Sequence, residues 1–163
     1  SRLFKGETEP KSRPWIAARM PAFPAYADQL GIGLSHGHGY SGQPDLNELI
    51  DDELAKVGRQ LVSPVGGFSC VSCHGVGELR PTQVFESEGI NFALSGARLR
   101  KDYFRRWILN PLRIDPLSKM PVYFDEEGVS PLYDVLDGDT DRQLNAIWHY
   151  LLRGNDMIPP ALE

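Results

Sequence analysis

The pentapeptide Cys70-Val71-Ser72-Cys73-His74 constrains this chain more than any other feature. It contains both cysteines of the sequence, so no separate disulfide framework can hold the fold together. Two thiols and an imidazole within one turn of backbone offer nucleophiles or soft metal ligands in one place. Three plain readings compete: a small disulfide loop, a thioredoxin-like redox pair, or half of a zinc site. A zinc site wants four ligands, and no second cysteine pair exists. A thioredoxin-like pair follows a strand in a βαβ pattern. Here a helical pattern and the turn Pro64-Val65-Gly66-Gly67 precede the motif.

The rest of the sequence reads as helices joined by proline-rich loops. Residues 1–44 hold Pro10, Pro14, Pro21, Pro24 and Pro44 and a glycine-rich stretch, which predicts an irregular arm with one short helix around Ala25–Leu30. A domain of residues 45–163 follows. Its first helix is predicted from Leu46 to Val62, with Asp45 as cap and Glu48 completing a capping box. Ile50, Leu54, Val57, Gly58 and Leu61 share one face of it. A glycine in a helix interior costs about 1 kcal/mol, so Gly58 points to close approach of another element. A loop with little pattern runs from Gly75 to Gly96. A second helix is expected over Leu99–Leu109, stopping before Asn110-Pro111, with Tyr103, Phe104, Trp107 and Ile108 as its apolar face. After a second loop, the last helix begins at Asp139 or Thr140, with Thr140 and Gln143 as another capping box. Leu144, Ile147, Trp148 and Leu151 form its stripe, and Arg153 and Gly154 are stop signals. The fold class expected is all-α.

A Cys-x-x-Cys-His run is the attachment sequence of a c-type haem. Each thiol adds across one vinyl group, and the histidine directly after the second cysteine then lies beneath the iron. The tight spacing is required because the vinyl groups and the iron are rigidly placed in the porphyrin. One haem c per chain is therefore expected, held by Cys70, Cys73 and His74.

The chain from Leu46 to Pro160 resembles a class I cytochrome c domain. The matching features are Gly58 and Leu61 before the motif, Met120-Pro121 on a loop after it, and Leu144-Asn145-Ala146-Ile147-Trp148-His149-Tyr150-Leu151 in the last helix. Arg98-Leu99-Arg100-Lys101-Asp102-Tyr103, Trp107, Asn110-Pro111 and Lys119-Met120-Pro121 are similar to cytochrome c domains embedded in large multidomain proteins of planctomycete-type bacteria. The resemblance implies three or more helices around one covalent haem, with the first and last helices crossing at Gly58. It implies a haem propionate partner in Arg98 or Arg100. It also implies a loop carbonyl for the imidazole N–H, with the loop at Pro81 as the candidate. Trp148 is expected at the helix crossing. The apolar haem pocket is expected from Phe68, Leu99, Phe104, Trp107, Ile108, Met120, Tyr123 and Phe124.

Met120, 46 residues after His74, is the leading second axial ligand. Its competing reading is ordinary core packing, a common use of methionine. Met20 is a rival because Arg19-Met20-Pro21-Ala22-Phe23 echoes Lys119-Met120-Pro121-Val122-Tyr123. Met157 reads as surface or haem-edge packing. His36 and His38 lie in a glycine-rich stretch and read as solvated loop residues, and His149 reads as structural. Met/His ligation raises the haem potential.

The functional expectation is electron transfer by one haem cycling between Fe(III) and Fe(II), as a module of a larger redox protein. The alternative is a sensor or enzyme whose sixth coordination site is open or weakly held. No acid–base pair or nucleophile constellation indicates an enzyme. The expected partner is a redox protein or a neighbouring domain. The net charge of −5 and the lack of a Lys/Arg run argue against nucleic acid. No apolar stretch reaches the roughly 20 residues of a membrane span. No signal-peptide pattern opens the chain, and since cytochromes c mature outside the cytoplasm, a processed or excised bacterial periplasmic domain is expected.

Overall fold

A computed structural model describes residues 24–39, 48–84 and 86–162. Met20, Asp45 and Leu46 lie outside them. The chain divides into two units, Ser1–Glu48 and Leu49–Glu163. The described residues are helical with no strand; only two isolated bridges occur, His74 with Gly89 and Val76 with Leu79.

In the first unit, a 3-10 turn at Pro24–Tyr26 leads into α1, Ala27–Gly37. The helix is longer than the sequence pattern indicates and takes in Gly31, Gly33 and Gly37. No proline interrupts residues 25–43, and Asp28 in the first turn complements the helix dipole. His36 therefore sits in a helical last turn rather than a loop, and His38 follows as the C-cap.

The second unit begins with α2, Asp52–Leu61, shorter than expected at its start. Residues 48–50 are not helical. The cap is Asp51, whose backbone is extended and whose Oδ1 accepts from the N–H groups of Glu53 at 2.9 Å and Leu54 at 3.0 Å. The Asp51 N–H itself donates to His149 Nδ1 at 3.1 Å, which fastens this end of α2 to the last helix and gives the buried imidazole a partner.

A short helix, α3 (Ser95–Arg98), precedes α4 (Lys101–Leu109), which is the helix expected over Leu99–Leu109 begun two residues later. Leu99 and Arg100 adopt extended backbone between them. As expected, α4 ends at Asn110-Pro111. Asn110 then caps α5, Pro111–Ile114, accepting from the Arg113 N–H at 3.1 Å with proline in the first turn.

The last helix, α6, spans Thr140–Leu151. Asp139 caps it, accepting from the Arg142 N–H at 2.9 Å. The expected Thr140–Gln143 box does not form. Thr140 instead donates to the Gly128 carbonyl at 2.9 Å. Gln143 is wholly buried, so its amide must find partners inside. Its Nε2 donates to the carbonyls of Leu132 at 2.8 Å and Val135 at 2.7 Å, and its Oε1 accepts from the Ser130 hydroxyl. One glutamine thereby ties the 130–135 loop to α6.

The helices α2 and α6 make the most extensive helix–helix contact of the described fold. Gly58 is the reason they can. A Cβ there would overlap the Ala146 carbonyl and lie 2.9 Å from Tyr150 Cβ. The chain end after α6 folds back on α2. Tyr150 donates to the Ile158 carbonyl at 2.7 Å, Arg59 to the Pro159 carbonyl at 2.7 Å, and Ser63 to the Ala161 carbonyl at 2.8 Å. Met157 is buried in the core rather than at the surface. Trp148 packs there too, its ring 5.4 Å from Phe104.

Gly58→Ala tests the crossing. Helix propensity alone predicts a gain of about 1 kcal/mol. The backbone carbonyl facing residue 58 cannot yield as a side chain would, so overpacking wins, with a net loss of about 1–3 kcal/mol. Urea unfolding should show a lower midpoint for the variant, and a stabilised variant would contradict the close approach.

Candidate functional site

The turn after α2 builds the site. Phe68 N–H bonds back to the Leu61 carbonyl at 2.7 Å and Val71 N–H to that of Val62 at 3.3 Å. Ser69 takes a left-handed conformation, φ 56°, which starts a single 3-10 turn at Cys70–Ser72. The Cys70 carbonyl accepts from the N–H groups of Cys73 at 3.2 Å and His74 at 3.0 Å. This turn separates the faces of the pentapeptide. Val71 is fully buried in the core, whereas Cys70, Cys73 and His74 line a cavity of about 480 Å³. That volume is within the roughly 300–1,000 Å³ of ligand pockets.

All eight residues expected to form an apolar pocket line this one cavity: Phe68, Leu99, Phe104, Trp107, Ile108, Met120, Tyr123 and Phe124. Phe68 holds the last two by ring contacts, 5.5 Å to Tyr123 and 5.4 Å to Phe124. The sequence reading missed Phe92, Tyr103, Ile147 and Leu151, which also line it. Arg98 is exposed and, like Arg100, takes no part in the lining, because the break between α3 and α4 directs Leu99 inward instead.

His74 is held on three sides. Its Nδ1 lies 2.8 Å from the Ile90 carbonyl. A carbonyl only accepts, so Nδ1 carries the proton and Nε2 keeps its lone pair. Phe92 stacks on the imidazole at 4.7 Å and 19°. On Gly89 a Cβ would occupy the space of the ring. Burial lowers the His74 pKa, with the Ile90 bond opposing, so the neutral ring is favoured. The loop expected to fold back does so, but the carbonyl that accepts from Nδ1 is that of Ile90 and not of Pro81. Gly89 N–H bonds to the Cys73 carbonyl and Phe92 N–H to that of Gly75, both at 2.8 Å, which sets the loop alongside the motif. Asn91 pins its other end, exchanging bonds with Gly77 at 3.1 and 2.9 Å. A backbone carbonyl leaves no mark in a sequence; Gly89 and the cap-forming Asn91 were the available signals.

Met120 reaches the same cavity from the loop after α5. Its N–H donates to Ser118 Oγ at 3.2 Å, and its Sδ accepts from the Trp107 indole N–H at 3.1 Å. The cavity thus gathers two free thiols, an imidazole with one committed nitrogen, and a thioether among apolar walls. Thiols that can form thioethers, a neutral nitrogen donor and a soft sulfur donor suit a flat, apolar, iron-bearing group. Among the described residues no group of three or more His, Cys, Asp and Glu side chains is placed to hold a bare metal ion. No helix among them is long and apolar enough to cross a membrane.

Cys70 is half-buried but faces the cavity, and burial pushes its thiol from an ordinary 9.0 up to about 12. Burial likewise raises Tyr123 and Tyr150 from 10.0 to about 12. The folded chain keeps these protons where the unfolded chain releases them. Stability from this source is complete below the unfolded values and falls as pH rises from about 9 toward 12. With free thiols, urea midpoints should therefore drop between about pH 8 and pH 10.5, less so in Cys70→Ser. An unchanged slope in that variant would mean that the thiol is not buried in this way.

A comparison with protein-family models finds none that matches the chain, and a comparison with curated proteins finds no match either.

Proposed function

We propose that this chain is a c-type cytochrome domain that carries single electrons on one covalently bound haem. The observation that carries the reading is the convergence of Cys70, Cys73, His74 and Met120 on one apolar cavity. Cys70 and Cys73 would hold the haem by thioether bonds, and His74 Nε2 and Met120 Sδ would be the protein ligands to its iron. When bound, the haem supplies a reversible one-electron Fe(III)/Fe(II) couple.

The chain's own residues then have distinct tasks. The Ile90 carbonyl orients His74 and makes it a stronger donor. Phe92 and Gly89 fix the plane of its ring. Phe68, Phe104, Trp107, Tyr123 and Phe124 keep water from the cavity, which with a Met ligand favours a high potential. Nothing in this arrangement needs a proton to move: Nδ1–H is already spent on Ile90, and the neutral sulfur carries none. That suits a carrier better than a catalyst. The partner would be a redox protein or a neighbouring domain of a longer chain, in the periplasm or another extracytoplasmic space.

Expression with a cytochrome c maturation system tests the proposal. The protein should gain the mass of one haem that acid and organic solvent do not extract, and a low-spin haem c spectrum. Cys70→Ser and Cys73→Ser should each weaken covalent attachment. Met120→Ala should abolish the Met–iron charge-transfer band and lower the potential. Absence of covalent haem would overturn the proposal. A high-spin ferrous form that binds CO readily would instead mean an open sixth site, and so a sensor or enzyme.

A further inference from the structure

We propose that Trp107 is a positioning residue that weakens the Met120 sulfur as an electron donor and thereby raises the potential of the domain. The inference rests on the haem reading above and deepens it.

The carrying observation is the indole N–H of Trp107, 3.1 Å from Met120 Sδ. Indole is a donor only, and a thioether sulfur is a weak acceptor that indole seldom needs when better ones are near. Among the described residues no carbonyl or carboxylate takes the indole N–H. Tyr103, one turn earlier on α4, stacks on it at 6.0 Å and 24° and supports the ring's orientation. The Met120 backbone is held by Ser118, whose Oγ accepts the Met120 N–H at 3.2 Å. Methionine has three rotatable side-chain bonds and ordinarily fills gaps without a fixed pose. Holding both its backbone and its sulfur therefore gives it a definite place in the cavity wall.

A thioether sulfur has two lone pairs. One engaged by Trp107 leaves one for the metal. The N–H draws electron density from the sulfur, so the bond to iron weakens. Ferric iron demands more donation than ferrous and loses more from this, so the reduced form gains relative to the oxidised form. The same weakening makes the sulfur easier to displace from ferric iron.

The test uses the haem-loaded chain with two changes at residue 107. Trp107→Phe removes the donor and part of the bulk. Replacing the indole by benzothiophene, as an unnatural amino acid, removes the N–H alone and keeps the bicyclic shape. Two quantities are read: the midpoint potential, and the affinity of the ferric protein for added imidazole. Both variants should keep the Met–iron band and show a lower potential. Ferric affinity for imidazole should fall about 2- to 10-fold, the range of one ordinary hydrogen bond. An unchanged potential and imidazole affinity in the benzothiophene protein would overturn the inference, since a purely structural role for Trp107 predicts that result. Wild-type protein with no covalent haem or no Met–iron band would overturn the function proposed above, a separate result from this one.

Discussion

The contact of α2 with α6 at Gly58 is the constraint on which the rest of the second unit depends. With no side chain at residue 58, the two backbones come together where any Cβ would strike the Ala146 carbonyl. That contact fixes the position of Leu61 and Val62, whose carbonyls then receive Phe68 and Val71. The pentapeptide's turn is in this way registered against the helix crossing. Its polar and sulfur-bearing face is left to look into the space between α4, α6 and the 117–124 loop. Most apolar stabilisation comes from one continuous cluster that includes Leu61, Val71, Phe104, Ile147 and Trp148. The cavity is the part of that cluster the chain does not fill with its own side chains.

Much of this was legible from residue patterns. Gly58 in an otherwise good helix announced a close approach, and Asn110-Pro111 announced a helix end. The apolar pocket residues were recognisable because bulky side chains at helical spacing on α4 and aromatic residues near Met120 have few other uses. The less legible features are those where a side chain had two chemically similar choices. Asp45 and Asp51 both make good caps. Asp51 is the one used, and it is also fastened to His149, 98 positions away in the chain, a pairing no local pattern carries. Gln143 fits a capping box by spacing, but it lies on the buried side of α6, where three loop groups compete for its amide.

The site shows the same division. The candidate ligand side chains were visible as types and spacings, because thiols, imidazole and thioether are rare in this chain. The groups that position them were not. Ile90 acts through its carbonyl, Gly89 through having no side chain, and Phe92 through a stack whose geometry depends on where a loop turns. Arg98, expected to meet a propionate, is exposed and outside the cavity lining, beside two residues of extended backbone.

The raised proton affinity of Cys70 has a consequence for the order of assembly. A thiol whose pKa is about 12 is almost wholly unionised at neutral pH, and the thiolate is the reactive form. The folded chain is thus a poor substrate for bond formation at that sulfur. Bond formation at that sulfur is therefore favoured before the segment after α2 folds, while the thiol still faces water.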